Sequence, residues 1–132
     1  MGLIYLDTCL VIYLAEEHPV WAPAAAAALE AAARAGDVRL GISPLVKSEC
    51  LIDPSRRADV ALQSRYAAWF ERFLTLDMPE PVFLAAAQLR ARFGLKMPDA
   101  LHLACAQHHG AVLWTNDERL ARAAGAWVRN VL

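Results

Sequence analysis

The sequence predicts an α/β fold, a three-layer α/β/α sandwich whose central sheet is mainly parallel. Three observations carry this expectation. Short apolar runs such as Leu3 to Leu6, Val38 to Ile42 and Ala111 to Thr115 alternate with longer segments of helical character, and helices between strands are what parallel pairing requires. The run from Ala111 to Thr115 reads as a buried strand, which suits a sheet covered on both faces. The chain has 132 residues, which fits one compact domain and leaves little room for a second, so residues 1–132 are expected to form a single unit.

Each element follows in order. Leu3 to Leu6 is the first strand, ending at Asp7 and Thr8, and Cys9 to Glu17 follows as a helix. Pro23 stands where a first-turn proline belongs and Gly36 closes this second helix, whose alanine-dense stretch from Ala22 to Ala35 is a strong helix former. Val38 to Ile42 is the next strand. Ser43 and Pro44 make an N-cap and first-turn pair for a helix to about Ile52, which Asp53 and Pro54 are expected to interrupt. From Arg57 to about Leu74, the apolar Val60, Leu62, Trp69, Phe70 and Phe73 lie among Arg and Gln, as in an amphipathic helix. Thr75 to Asp77 suits a very short strand. Helices over about Glu80 to Phe93 and Pro98 to His109 lead to Gly110 and the buried run. A helix from about Asp117 to Ala124 and a strand near Ala126 to Val131 come last.

Composition narrows the function classes. Hydrophobic residues make up 58% of the chain, above the usual ~45–50%, and much of the excess is alanine. The longest charge-free stretches, such as Val20 to Leu29, fall short of the roughly 18 residues a spanning helix needs, so no membrane span is expected. The opening MGLIYLDTCLVIYLAEE has no basic n-region and reaches Asp7 early, unlike a secretory signal, which predicts a cytoplasmic location. Lys and Arg total 13 against 14 Asp and Glu, a formal charge of −1, so any nucleic-acid binding must be local. Cys9, Cys50 and Cys105 are odd in number and lack CxxC or Cys/His ligand spacing, which predicts reduced core thiols rather than disulfides or a zinc site.

In open α/β sheets the ligand crevice lies beyond the carboxyl ends of the strands. Asp7 follows the first strand directly, and Asp117 follows the run Val112 to Thr115 by way of Asn116. Alone, each is explained as a helix cap, favoured by the helix dipole. Asp99, after Pro98 in the first turn of a core-facing helix, has the same ordinary explanation. Glu49 lies four residues after Leu45, three after Val46 and three before Ile52, so helical spacing puts it on the apolar face. A buried Glu needs a cationic partner or a metal, and Lys47 points to a different side of that helix. Four acids and a few hydroxyls converging on one crevice suit a hard divalent cation such as Mg²⁺. Their mutual repulsion makes sense only if a cation neutralises it.

Together, LDTCLVIYL around Asp7, ISPLVKSE ending at Glu49, MPDALHLACA around Asp99 and LWTND ending at Asp117 resemble the PIN domain family, and more narrowly the VapC-type toxin ribonucleases of bacterial toxin-antitoxin modules. The resemblance runs in order over nearly the whole chain. It implies a PIN-like sandwich and a Mg²⁺- or Mn²⁺-dependent endoribonuclease, the toxin of a type II toxin-antitoxin module, with Asp7, Glu49, Asp99 and Asp117 as catalytic, metal-binding acids. Thr8 and Thr115 match hydroxyl positions beside the family's acids, and Asn116 matches a supporting amide. The net charge of −1 departs from the basic surface that the family's RNA affinity leans on.

Metal-assisted hydrolysis would leave a 5′-phosphate and a 3′-hydroxyl, with room for one or two ions. His102, three residues after Asp99, can face the site as acid or base, but metal-hydroxide chemistry does not require a histidine. His108 and His109 suit the negative C-terminal end of their helix, and His18 has no evident role. Arg90, Arg92 and Lys96 approach the Asp99 motif and are the better candidates for holding RNA phosphates, whereas Arg65 and Arg72 suit solvated helix faces. Trp21, Trp69 and Trp114 can stack on bases, though such residues are more often core. The expected partners are an RNA substrate, a cognate VapB-like antitoxin that places a basic side chain near the acids, and a second copy of the chain packed along the helices of Arg57 to Leu74 and Glu80 to Phe93. Two other readings compete: a PIN-like nuclease of RNA processing, and a non-catalytic α/β interaction module whose acids are caps.

Overall fold

The computed structural model describes residues 2–132. In chain order they form β1 (Gly2–Leu6), α1 (Thr8–Ala15), α2 (Trp21–Ala35), β2 (Val38–Ile42), α3 (Pro44–Arg56), α4 (Val60–Phe70), β3 (Leu74–Thr75), α5 (Glu80–Phe93), α6 (Met97–His108), β4 (Val112–Thr115), α7 (Glu118–Ala124) and β5 (Val128–Asn130), with a 3₁₀ turn at Gly125–Trp127. The five strands are ordered β3-β2-β1-β4-β5 and every pairing is parallel. The sandwich expected from the alternation of strands and helices is the fold observed.

The strand order decides where function sits. From β1 the chain steps outward through β2 to β3, then returns to the other side of β1 for β4 and β5. Right-handed crossovers in opposite directions place helices on opposite faces of the sheet. The pleat agrees: Tyr5 meets His102 of α6 on one face, while Ile4, Val112 and Trp114 line a groove against Ala32 and Ala35 of α2 on the other. The direction of winding reverses between β1 and β4, and their carboxyl ends flank the crevice where such sheets bind ligands. The core fills both faces, with Tyr5, Leu6, Val11, Ile42, Leu103 and Leu113 essentially without solvent contact.

Several expectations shift. Pro54 does not interrupt α3, which continues to Arg56. The proline lies in the last turn, where a single backbone bond is forgone, and its carbonyl accepts from the Asp59 amide at 2.8 Å and from the Gln63 side chain at 3.2 Å. The break comes instead at Ala58, whose φ is 52°, and Asp59 then caps α4 by accepting from the Leu62 amide at 3.0 Å. The helix expected from Arg57 to Leu74 is therefore shorter at both ends. The short strand is Leu74–Thr75 rather than Thr75 to Asp77, because its partners are Gly41 and Ile42. Gly41 gives Leu76 room here: a Cβ would lie 2.7 Å from the Leu76 side chain that packs over it, so a larger residue would force that side chain to shift. The second helix starts at Trp21, two residues before Pro23. His18, which showed no role in sequence, supplies its start: Nδ1 accepts from the Val20 and Trp21 amides at 3.2 and 3.1 Å.

Candidate active site

The site is built at the reversal point from the strand ends outward. The Asp7 amide donates to the Trp114 carbonyl at 2.9 Å, which ties the exit of β1 to that of β4. Both oxygens of the Asp7 carboxylate are engaged: Oδ1 accepts from the Thr8 amide at 2.8 Å as the N-cap of α1, and Oδ2 accepts from the Thr115 hydroxyl at 2.7 Å. Thr115, buried at the end of β4, also accepts from the Asp117 amide at 3.0 Å. Asp117 caps α7, its Oδ1 accepting from Arg119 and Leu120 at 2.9 and 3.2 Å. Capping and site formation are thus the same geometry here, because a strand exit that starts a helix points its cap into the crevice.

Glu49 comes from α3, which the Ser43 cap and Pro44 launch from the end of β2. Its side chain is 27% exposed, so it sits at the rim of the core rather than within it. The Thr8 hydroxyl donates to Glu49 Oε1 at 2.7 Å, and His102 Nε2 lies 2.6 Å from the same oxygen. His102 Nε2 is also 3.8 Å from Asp7 Oδ1. Burial works against the Glu49 charge, yet the bonds from His102 and Thr8 outweigh it and hold the carboxyl below its ordinary range. The partner expected for Glu49 is therefore a histidine. A glutamine would still accept both bonds through its carbonyl oxygen, losing only their charge-assisted part. Glu49→Gln should accordingly cost about 1 kcal/mol in denaturant unfolding without metal, far less than breaking a buried ion pair.

Asp99 occupies the first turn of α6. Burial first, then the carboxylates of Asp7 and Asp117, push its pKa up, against the opposing pull of His102 and Lys96. Three acids from three strand or helix ends thus sense one another. An acid that holds its proton more tightly folded than unfolded favours folding at low pH and loses that advantage as pH rises. Without divalent ions, the contribution of Asp99 to stability, read as the difference between wild type and Asp99→Asn, should fall as pH climbs from the ordinary value of 3.8 through the raised one. Unfolding midpoints of both proteins measured across this window in EDTA check it.

Among the described residues, no three of His, Cys, Asp and Glu converge closely enough to make a ready-made metal cage. Asp7 and Glu49 meet through Thr8 and His102, Asp117 joins Asp7 through Thr115, and Asp99 is coupled to both aspartates through charge. Asn116 turns away, its amide donating to the Tyr13 hydroxyl at 3.2 Å. Of the cationic candidates, Lys96 is close enough to act on Asp99, Arg90 donates to the Leu95 carbonyl at 2.9 Å, and Arg92 lies over the Phe93 ring. Trp114 is core, Trp21 packs beside Tyr13 and His18, and Trp69 stacks on Phe73 beneath Arg72. His109 bonds the Asp77 carbonyl at 2.9 Å rather than merely ending its helix. The three cysteines are free, and burial pushes the Cys9 thiol up to about 12, as expected of unreactive thiols.

The sequence placed His102 as a candidate acid or base facing the site, and the structure gives it another part, that of a buried partner to Glu49. His102 is 2% exposed and its Nδ1 lies 2.6 Å from the hydroxyl of Tyr5, which lies 2.6 Å from Ser43 Oγ. The signal was present: His102 follows Asp99 by one helical turn, and Tyr5 precedes Asp7 by one pleat period.

A doubly covered parallel sheet with carboxylates gathered at its reversal point defines an acid-site α/β domain. The chain belongs to the PIN domain family, whose model matches residues 4–126. Among solved structures, it resembles a chain of a toxin-antitoxin complex from Klebsiella pneumoniae with a TM-score of 0.79 at 23% identity, over 98% of each chain. It is similarly close to a chain of VapBC2 from Rickettsia felis, solved bound to a promoter DNA fragment, with a TM-score of 0.80 at 21% identity over 97% of this chain and 98% of that one. Mycobacterium tuberculosis VapC20, a sarcin-ricin loop cleaving toxin, matches with a TM-score of 0.73 at 16% identity over 96% and 99%. At these identities the likeness is one of fold. No curated protein matches the chain.

Proposed function

We propose that the protein is a metal-dependent endoribonuclease, the toxin of a type II toxin-antitoxin module, with Asp7, Glu49, Asp99 and Asp117 as its metal-binding acids. The observation that carries this is geometric: Thr115 ties Asp7 to the start of α7 capped by Asp117, Thr8 ties Asp7 to Glu49, and Asp99, its pKa raised by burial and then by the charges of Asp7 and Asp117, faces the same crevice. An all-oxygen donor set of this kind fits Mg²⁺ or Mn²⁺. A divalent ion bound there supplies Lewis-acid chemistry for hydrolysing an RNA phosphodiester. The chain's own part is positioning. Thr115 holds the Asp7 carboxylate and the Asp117 backbone together, Thr8 holds Asp7 and Glu49 together, and Lys96 beside Asp99 offers a cation to the substrate phosphate.

The fold likeness to chains of toxin-antitoxin complexes supports a VapB-like antitoxin as partner and a cytoplasmic setting. Among the described residues, no helix is long and apolar enough to cross a membrane. Exposed apolar side chains on α4 and α5, Val60, Phe83 and Leu84 among them, suit the expected contact with an antitoxin or a second copy. The test is incubation of purified protein with an RNA pool. Cleavage in Mg²⁺ that is absent in EDTA and in Asp99→Asn supports the reading, and absence of cleavage, or equal cleavage by the variant, overturns it.

A further inference from the structure

Two donors converge on one oxygen of Glu49. Thr8 Oγ1 and His102 Nε2 both reach Oε1, at 2.7 and 2.6 Å. Behind His102 stand Tyr5 and Ser43, all three buried, in a chain of hydrogen bonds at 2.6 and 2.6 Å. The direction of the chain follows from what each atom can do. The Glu49 carboxylate only accepts, so Nε2 carries the ring proton. In the neutral ring Nδ1 then accepts from the Tyr5 phenol, and Ser43 donates to the Tyr5 oxygen. Ser43 Oγ in turn accepts from the Val46 amide at 3.3 Å, so the chain closes on the backbone of the helix that carries Glu49.

Burying three polar groups for stability alone brings little, since an apolar trio of the same shape packs as well. A satisfied chain that ends on a rim carboxylate supplies orientation instead. We propose that Ser43, Tyr5 and His102 form a positioning relay that grips Glu49 by Oε1 and so leaves Oε2 as its free donor to the metal. The inference rests on the metal-centre reading and deepens it: His102 is a positioning residue, and Tyr5 acts on the site only through it.

Tyr5→Phe removes one hydroxyl at nearly constant shape and touches none of the acids. In the folded variant, Mn²⁺ affinity measured by calorimetry should weaken about 10-fold, as for other partners behind a metal ligand. Unchanged Mn²⁺ affinity in folded Tyr5→Phe would mean that the hydroxyl only packs, and would overturn the relay. If Tyr5→Phe does not fold, His102→Gln and His102→Leu decide. Gln keeps a donor near the Nε2 position and should bind Mn²⁺ nearly as the wild type does, while Leu should lose about 10- to 100-fold; equal affinity of the two overturns the proposal. Nitrogen NMR of the wild type in EDTA at mildly alkaline pH judges the relay without any metal. His102 should be protonated at Nε2 alone, and a ring protonated at Nδ1 would overturn it. Wild type that binds no Mn²⁺ but shows the expected tautomer counts against the metal-centre reading, and with it the proposed consequence for Oε2.

Discussion

Asp7→Asn is expected to leave the sandwich folded and to reduce RNA cleavage by at least about 100-fold, the scale of losing one preorganised electrostatic element of a reaction centre. The structure separates the two outcomes. Asparagine is as good an N-cap as aspartate, so its carbonyl oxygen keeps the bond to the Thr8 amide. Its amide nitrogen meets Thr115 Oγ1, which must turn to accept where it donated before. That rearrangement costs little, and loss of a carboxylate near Asp99 partly offsets it. What disappears is the charge and one acceptor at the reversal point. A second readout follows without RNA. Tenfold excess of Mn²⁺ over its dissociation constant stabilises a protein that binds it only when folded by about 1.4 kcal/mol, and the corresponding rise in melting temperature should be absent from Asp7→Asn. An equal rise in both proteins would place the ion elsewhere.

Leu113→Ala is expected to be the most costly single change to stability. Leu113 has no solvent exposure, sits in β4, and is paired with Tyr5 on one side and Val128 on the other. Truncating such a leucine removes transfer energy and leaves a cavity, about 3 kcal/mol together, which for a chain of this size lowers the melting temperature by about 10 °C. Because its neighbour Tyr5 is the hinge of the polar chain behind Glu49, cleavage per folded molecule should fall as well. Thermal unfolding combined with activity corrected for the folded fraction tests both. A change below about 1 kcal/mol would mean that the sheet relaxes around the gap.

How much of this was legible in the sequence depended on how local the cause was. Asp7, Thr8, Thr115 and Asp117 could be found because a strand exit, its cap and the next helix are adjacent in sequence. Glu49 could be found because helical spacing set it one turn from Val46, which is buried, although Ile52, which helped to define that face in sequence, is exposed. The role of His102 could not be read, since its contact with Glu49 exists only once β1 lies between β2 and β4 and brings α3 and α6 to the same edge. The helix end near Pro54 was misplaced for a related reason: a proline stops a helix only when the chain has another way to satisfy its backbone, and here that way opens four to five residues later, at Ala58 to Asp59. The short β3 was displaced by a residue because its register is set by Gly41 and Ile42, not by its own composition.

The hydrogen bond between Thr115 and Asp7 joins positions 108 residues apart, and it has a consequence for synthesis. Chains emerge from the ribosome at about 5–20 residues per second, so β1 and Asp7 wait several seconds for the strand that must slot beside them. Until then β1 has only β2 as a neighbour, Asp117 does not yet exist, and Asp7, Glu49 and Asp99 lack the strand that brings them to one crevice. A chain halted before β4 therefore lacks both Asp117 and the Thr115 hydroxyl that holds Asp7. The proposed reaction centre is completed only once β4 and the cap of α7 have both been made.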